Sequence, residues 1–285
     1  MSRIAYVNGR YLPHKDAAVS IEDRGYQFAD GVYEVCEVRG GRLVDETRHM
    51  ARLERSLREL RMARPMSAKA LAQVLRETVR RNRVRDGIVY VQVTRGAAPR
   101  DFPFPPAGTP PTLVVTSRSF DRARLESQAA AGIAVITVPD LRWERVDIKS
   151  VALLPNVLAK QAARDQGARE AWLVDADGRV TEGASSNAWI VTRDGVLVTR
   201  TLDTGILPGI TRSVVMDELN AQGLKVEERA FTVAEAYEAR EAFVTSASQI
   251  VMPVVSIDGR PVGNGAPGLL TSALRRDYHQ HAEIA

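Results

Sequence analysis

The run DIKSVALLPN, residues 147–156, holds one of only five lysines in a 285-residue chain that carries 34 arginines. Lysine acts as a nucleophile only where burial or a neighbouring cation lowers its pKa, because an ordinary ammonium is almost never neutral at pH 7. Four of the five sit in polar settings. Lys15 lies in a polar turn and Lys69 near a helix start. Lys160 lies in a helix among Gln161, Arg164 and Asp165, and Lys225 falls between a glycine turn and the charged run VEER. Each reads as a solvated side chain. Lys149 instead stands between Ile148 and the apolar Val151–Leu154, at the entrance to an expected helix. Local context alone leaves a structural role for it open.

Upstream of this run, IAYVNGRYL reads as a hairpin turning at Asn8-Gly9, since that dipeptide supplies the two positive φ values of a tight turn. GVYEVCEVR and RLVDE form a second hairpin through Gly40-Gly41. Amphipathic helices are expected around Met50–Leu60 and Leu71–Val79, then a strand IVYVQVT, a proline-rich loop APRDFPFPPAGTPP and a strand TLVVTS. These mark a small N-terminal α/β domain over residues 1–117, with residues 118–130 as an interdomain connection. Downstream, IAVITV opens a larger, strand-rich domain over residues 131–285. In it AWLV and RVTEG flank a DADG turn, and NAWIV and VLVT flank Arg193-Asp194-Gly195. A helix follows over about 211–222, then AFVTS and a last helix near Leu269–His279.

At 45% hydrophobic and 26% charged residues, the composition is that of an ordinary globular protein. No apolar run reaches the roughly eighteen residues of a membrane span. The start, MSRIAYVNGRYLP, alternates apolar and polar residues instead of showing a charged segment and an apolar core. A cytoplasmic protein without membrane attachment is expected. Cys36 is the single cysteine, has no metal-ligand spacing around it and reads as a buried strand thiol. No metal site is expected. The net charge of +4 is too scattered to signal nucleic acid. Its densest patch, Thr47–Ala63, sets Arg48, Arg52 and Arg55 on one helix face, and the i,i+4 pairs Glu54–Arg58 and Arg55–Glu59 make that face a solvated one.

Two further features bear on chemistry. In VTEGASSN, residues 180–187, Glu182 is in strand phase with Val180, and a carboxylate on an apolar face needs a cationic or donor partner. Alternatively the strand ends at Gly183 and Glu182 meets water. In GILPGITR, Gly209 precedes a helix whose first amides, at Ile210 and Thr211, suit an anion through free N–H groups and the helix dipole.

RGYQFADGVYEV (24–35), TRGAAPRDF (94–102), DIKSVALLPNVLAKQ (147–161), TEGASSN (181–187), LPGITR (207–212) and FVTSASQI (243–250) follow one another as similar segments do in the D-amino acid aminotransferases, the fold-type-IV pyridoxal-phosphate enzymes. The resemblance spans nearly the whole chain. It implies a two-domain α/β (α+β) fold, pyridoxal 5'-phosphate as cofactor, and a homodimer whose active site is shared across the interface. Lys149 would be the Schiff-base lysine and proton carrier, Glu182 the partner of the pyridine nitrogen, and Arg52 a phosphate ligand. Ile210 and Thr211 would add phosphate amides, Leu207 would pack on the ring, and Ser246 and Ser248 would supply hydroxyls. Relatives grip the substrate carboxylate with a tyrosine, an arginine and a histidine. Tyr33 and Arg100 match the first two, while Phe102 stands at the histidine position and removes a donor.

The implied reaction is transamination between a D-amino acid, such as D-alanine, and a 2-oxo acid, such as 2-oxoglutarate. Branched-chain aminotransferase, (R)-amine transaminase and aminodeoxychorismate lyase remain alternatives within the fold type. A basic nucleic-acid-associated protein is a remote one.

Overall fold

In the computed structural model, which describes residues 3–285, Asn8 and Gly9 take φ values of 45° and 91° and join β1 (Ile4–Val7) to β2 (Arg10–Pro13). A single 3-10 turn and the short helix α1 (Arg24–Phe28) lead to β3 (Gly31–Arg39). The expected second hairpin follows through Gly40 and Gly41, at φ 58° and 83°, into β4 (Arg42–Leu43). Then come α2 (Glu46–Glu59), α3 (Ala68–Arg81), β5 (Gly87–Thr94) and β6 (Thr112–Ser119). The strands form an antiparallel sheet ordered β2-β1-β6-β5-β3-β4.

The two helices explain why this sheet holds. Leu53 and Leu57 of α2 and Leu71 and Leu75 of α3 are buried in one cluster with Cys36, Val38, Val89, Val91 and Val115. Each such leucine stabilises the fold by about 1.5–3 kcal/mol through removal from water. Burial, with the nearby Glu34 charge, pushes the Cys36 thiol well above its usual range.

The stretch expected as a connection, 118–130, has structure of its own: β6 runs to Ser119 and α4 covers Arg122–Ala131. The chain divides into two compact units, and the first, which runs to Asp121, also takes in Ile148–Ala152 and Glu283–Ala285. Hydrogen bonds account for both additions. Ser150 bridges Val32, Tyr33 N–H donates to the Lys149 carbonyl and Val151 N–H to that of Gly31. Ile284 bridges Val44, and Asp45 N–H donates to the Glu283 carbonyl. Lys149 therefore lies along the edge of β3, not at a helix entrance.

The second unit continues with β7 (Ile133–Pro139), α5 (Leu154–Asp165), β8 (Glu170–Val174), β9 (Arg179–Gly183), β10 (Asn187–Val191), β11 (Leu197–Thr199) and α6 (Ile210–Ala221). It ends with β12 (Val226–Glu228), β13 (Phe231–Thr232), α7 (Val233–Tyr237), β14 (Glu241–Ser246), β15 (Ile250–Ile257), β16 (Arg260–Pro261) and α8 (Leu269–His281). Its sheet is ordered β12-β11-β10-β14-β15-β7-β8-β9-β13, with β16 added to β15. β7, α5 and β8 make a parallel crossover, and most other pairs are antiparallel. β9 and β10 lie far apart in that order, yet Gly183 bridges Ser186 between them. That bridge closes the tight turn 183–186, which carries the chain from one strand to the other. Among the described residues no helix is long and apolar enough to cross a membrane.

Candidate active site

Strand alternation in β3 sends Tyr33 and Glu34 to opposite faces. On one face, Lys149 Nζ donates to the Tyr33 hydroxyl at 3.4 Å and lies 4.4 Å from the centroid of its ring. Tyr90 stacks on that ring at 5.6 Å. The Lys149 backbone N–H donates to Ser56 Oγ of α2 at 3.2 Å, which ties the lysine to the helix. Lys149 is half-buried, and no carboxylate pairs with it among the described residues.

On the other face Glu34 is fully buried. It accepts from Arg52 Nε at 2.7 Å and Nη2 at 2.9 Å, and its Oε2 lies 2.8 Å from His49 Nδ1. Burial alone would raise the Glu34 carboxyl, but the Arg52 charge and the bonds from Arg52 and His49 outweigh it and hold the pKa below the usual carboxylate range. This corrects the expectation for α2. Arg52 does not join Arg48 on a solvated face but is buried, while Glu54 pairs with Arg64 at 2.6 Å. Helical charge spacing alone could not reveal a strand carboxylate waiting under one arginine.

Arg100 and Phe102 lie exposed on the loop after β5, Phe102 at 77%. The Phe102 ring is 5.5 Å from Phe28, and the Arg100 guanidinium is 5.0 Å from the same ring.

In the second unit, β9 continues through Glu182, which is 4% exposed and does not meet water. Its Oε1 accepts from Arg142 Nη1, its Oε2 accepts from Asn187 Nδ2 at 2.9 Å, and the Leu207 N–H approaches both oxygens at 3.2 and 3.3 Å. The cationic partner that the sequence required is thus Arg142. The same guanidinium grips Asp140 through Nε at 2.9 Å and Nη2 at 2.8 Å. Burial works against the charges, yet these bonds raise the Arg142 pKa and lower that of Asp140.

Next to Leu207, Gly209 caps α6 without any side-chain hydrogen bond, and Ile210 and Thr211 are buried in its first turn. Ser246 ends β14 and Ser248 follows in the turn to β15, both half-buried. Beneath the 183–186 turn, buried Glu170 accepts from Ser185 Oγ at 2.7 Å, Ser186 Oγ at 3.1 Å and Lys160 Nζ at 3.1 Å. Lys160, expected to be solvated, is therefore held by a buried carboxylate.

Two groupings result. Lys149, Tyr33 and Arg52 belong to the first unit with Arg100 and Phe102; Glu182, Leu207, Ile210, Thr211, Ser246 and Ser248 belong to the second. Sequence reading missed Glu34, His49, Arg142, Asn187 and Glu170. Glu34 was findable, being a carboxylate in phase with Val32, Cys36 and Val38, the test that picked Glu182. Arg142, in LRWERVD, carries no local signal. Among the described residues no acid, histidine and cysteine cluster is arranged to hold a metal ion.

Residues 31–257 match the family model for class IV aminotransferases. The chain is 45% identical over 264 residues to a D-alanine aminotransferase of Bacillus licheniformis, covering 93% of this chain and 92% of that one. The chain is a class IV aminotransferase. The aminotransferase also superposes on a branched-chain amino acid aminotransferase of T.th., solved with pyridoxamine 5'-phosphate, with a TM-score of 0.89 at 27% identity over 98% of this chain and 94% of that one. The branched-chain enzyme of Escherichia coli gives the same score at 24% identity, with the same coverage, a likeness of fold. The expected two-domain α/β architecture, with a smaller mixed domain and a larger strand-rich one, is the aminotransferase's own.

Proposed function

We propose that this class IV aminotransferase exchanges an amino group between a D-amino acid, D-alanine in the first instance, and 2-oxoglutarate, with Lys149 as the covalent anchor of pyridoxal 5'-phosphate. Transfer between a small amino acid and a 2-oxo acid with this cofactor is the activity of its family. The observation that carries the assignment of Lys149 is its setting: half-buried, beside the Tyr33 hydroxyl and without a carboxylate partner among the described residues. A salt-bridged lysine would be held away from a reacting carbon by its carboxylate, whereas this one has no ion pair to break before it reaches one.

The donor set fits the cofactor. Glu182 is buried, anionic in partnership with Arg142, and suited to a protonated ring nitrogen. The uncapped first turn of α6, with the Ile210 and Thr211 amides, suits a phosphate, as does the cationic Arg52. Leu207 and the Ser246 and Ser248 hydroxyls complete the proposed holding residues. When bound, the cofactor supplies a sink for the electron pair left as Cα loses its proton. Lys149 Nζ, freed when the substrate amine takes its place, would take that proton from Cα and hand it on to complete the half-reaction, with the Tyr33 hydroxyl orienting it. Arg100 grips the substrate carboxylate in a charge-assisted pair. Phe102 brings an apolar ring where relatives bring a donor, which favours a second activity on carboxylate-free (R)-amines.

A homodimer is part of the proposal, with Arg100 reaching the partner's site. The exposed apolar side chains Leu154, Val157 and Leu158 on α5 support it. So is a cytoplasmic location, in keeping with a lone buried thiol.

Borohydride reduction of the yellow protein followed by peptide mapping tests the anchor: the cofactor is expected on Lys149, and finding it on another lysine overturns the assignment. Paired D- and L-amino acids, assayed with pyruvate and 2-oxoglutarate, test the substrate. Turnover of L-leucine or L-valine above D-alanine would favour the branched-chain activity of its structural neighbours.

A further inference from the structure

The loop carrying Arg100 and Phe102 runs from Pro99 to Pro111, and its six prolines deprive it of the donors that would tie it to a sheet. Its backbone is held instead by one buried side chain. Arg24, 4% exposed, donates from Nη1 to the Asp101 carbonyl at 2.6 Å and from Nη2 to the Phe102 carbonyl at 3.2 Å. Its Nε donates to Asp30 Oδ2 at 2.9 Å, and its guanidinium lies 4.8 Å from the centroid of Phe28, the ring that Phe102 and Arg100 also approach. Asp30 Oδ2 accepts a second bond, from Arg95 Nε at 2.7 Å. Arg95 in turn donates from Nη2 to the Leu60 carbonyl at 2.8 Å and from Nη1 to that of Arg61 at 3.2 Å, just past the end of α2. An unbroken chain of bonds thus links the loop to the helix bearing Arg52 and His49, all within the first unit.

We propose that Arg24 is the positioning residue of the substrate loop: with Asp30 and Arg95 it fastens the Asp101 and Phe102 carbonyls to the end of α2 and so sets the direction of Arg100. Two carbonyls and a carboxylate around one side chain need a planar fork of donors, which arginine has and the single nitrogen of lysine lacks. Burying a guanidinium is costly unless its donors are taken, so the fastened loop is the state in which Arg24 is satisfied. The inference rests on the proposed role of Arg100 as the carboxylate grip.

The test pairs a structural with a kinetic readout on the holoenzyme. In Arg24→Lys, hydrogen exchange at the Phe102 amide, which donates to Asp101 Oδ1, and at the Ala98 amide, which donates to the Glu22 carbonyl at the root of the loop, should quicken by roughly ten- to a hundredfold, with amides of α3 unchanged. KM for D-alanine should rise about tenfold with kcat held within about twofold, while a matched (R)-amine lacking the carboxylate shows no change. Asp30→Asn should move both readouts in the same direction and serves if Arg24→Lys does not fold. Unchanged exchange in the loop overturns the fastening. Faster exchange with KM for D-alanine unchanged overturns its service to the substrate. Should the wild type not act on D-alanine at all, the functional reading fails separately, and the exchange comparison still decides whether Arg24 holds the loop.

Discussion

Glu34 and Glu182 are both carboxylates in the apolar phase of a strand, and each is tolerated because an arginine meets it. Their roles divide by what else surrounds them. Glu34 is enclosed by Arg52 and His49 and fixes the arginine proposed for the phosphate. Its depressed pKa makes the pair a source of stability that is full above the ordinary glutamate value, about 4.3, and is lost as pH falls through the lower folded value. Glu34→Gln should therefore cost about 3 kcal/mol at pH 6, by leaving Arg52 uncompensated. The deficit should narrow below about pH 4, and urea denaturation at both pH values measures it. Glu182 shares Arg142 with Asp140 and also takes the Asn187 amide. Glu182→Gln should retain cofactor yet slow Cα deprotonation of D-alanine by roughly ten- to a thousandfold in single turnover, as a neutral amide no longer favours a protonated ring nitrogen. A normal single-turnover rate would remove its electron-sink role.

At the scale of elements, the first turn of α6 depends on a close approach. A Cβ at Gly209 would stand 1.9 Å from Asn187 Oδ1, so any side chain there displaces Asn187. Asn187 also bonds Glu182 and, at 2.9 Å, the Leu207 carbonyl, which couples the helix start to the carboxylate. Gly209→Ala should weaken cofactor retention about tenfold, roughly the worth of one lost hydrogen bond to a charged group, while α6 itself persists on its buried Val214, Val215 and Leu219, since a poorer N-cap costs only about 1 kcal/mol. Equilibrium dialysis of the cofactor, with circular dichroism as the control, checks both halves. The turn 183–186 is held from below by Glu170 through two serine hydroxyls, so two loops flanking Glu182 are each fixed by a buried polar side chain.

At the scale of the molecule, the proposed dimer makes concentration a variable. Dilution to monomers, followed by sedimentation, should abolish D-alanine transamination in step with dissociation; full activity in a proven monomer would place Arg100 within its own subunit's site. The sequence by itself determined the hairpins at Asn8-Gly9 and Gly40-Gly41, the helices α2, α3, α6 and α8, and the singling out of Lys149 among five lysines. Positive φ, the 2.0 and 3.6 periodicities and apolar flanks are local properties, legible in a few adjacent residues. The tertiary structure alone decided that Lys149 runs along β3, that Arg52 is buried on Glu34, and that Arg142 is the partner of Glu182. A charge is buried only where a partner has been brought to it from far along the chain, 18 positions for Arg52 and 40 for Arg142. No local pattern records which of 34 arginines will find one.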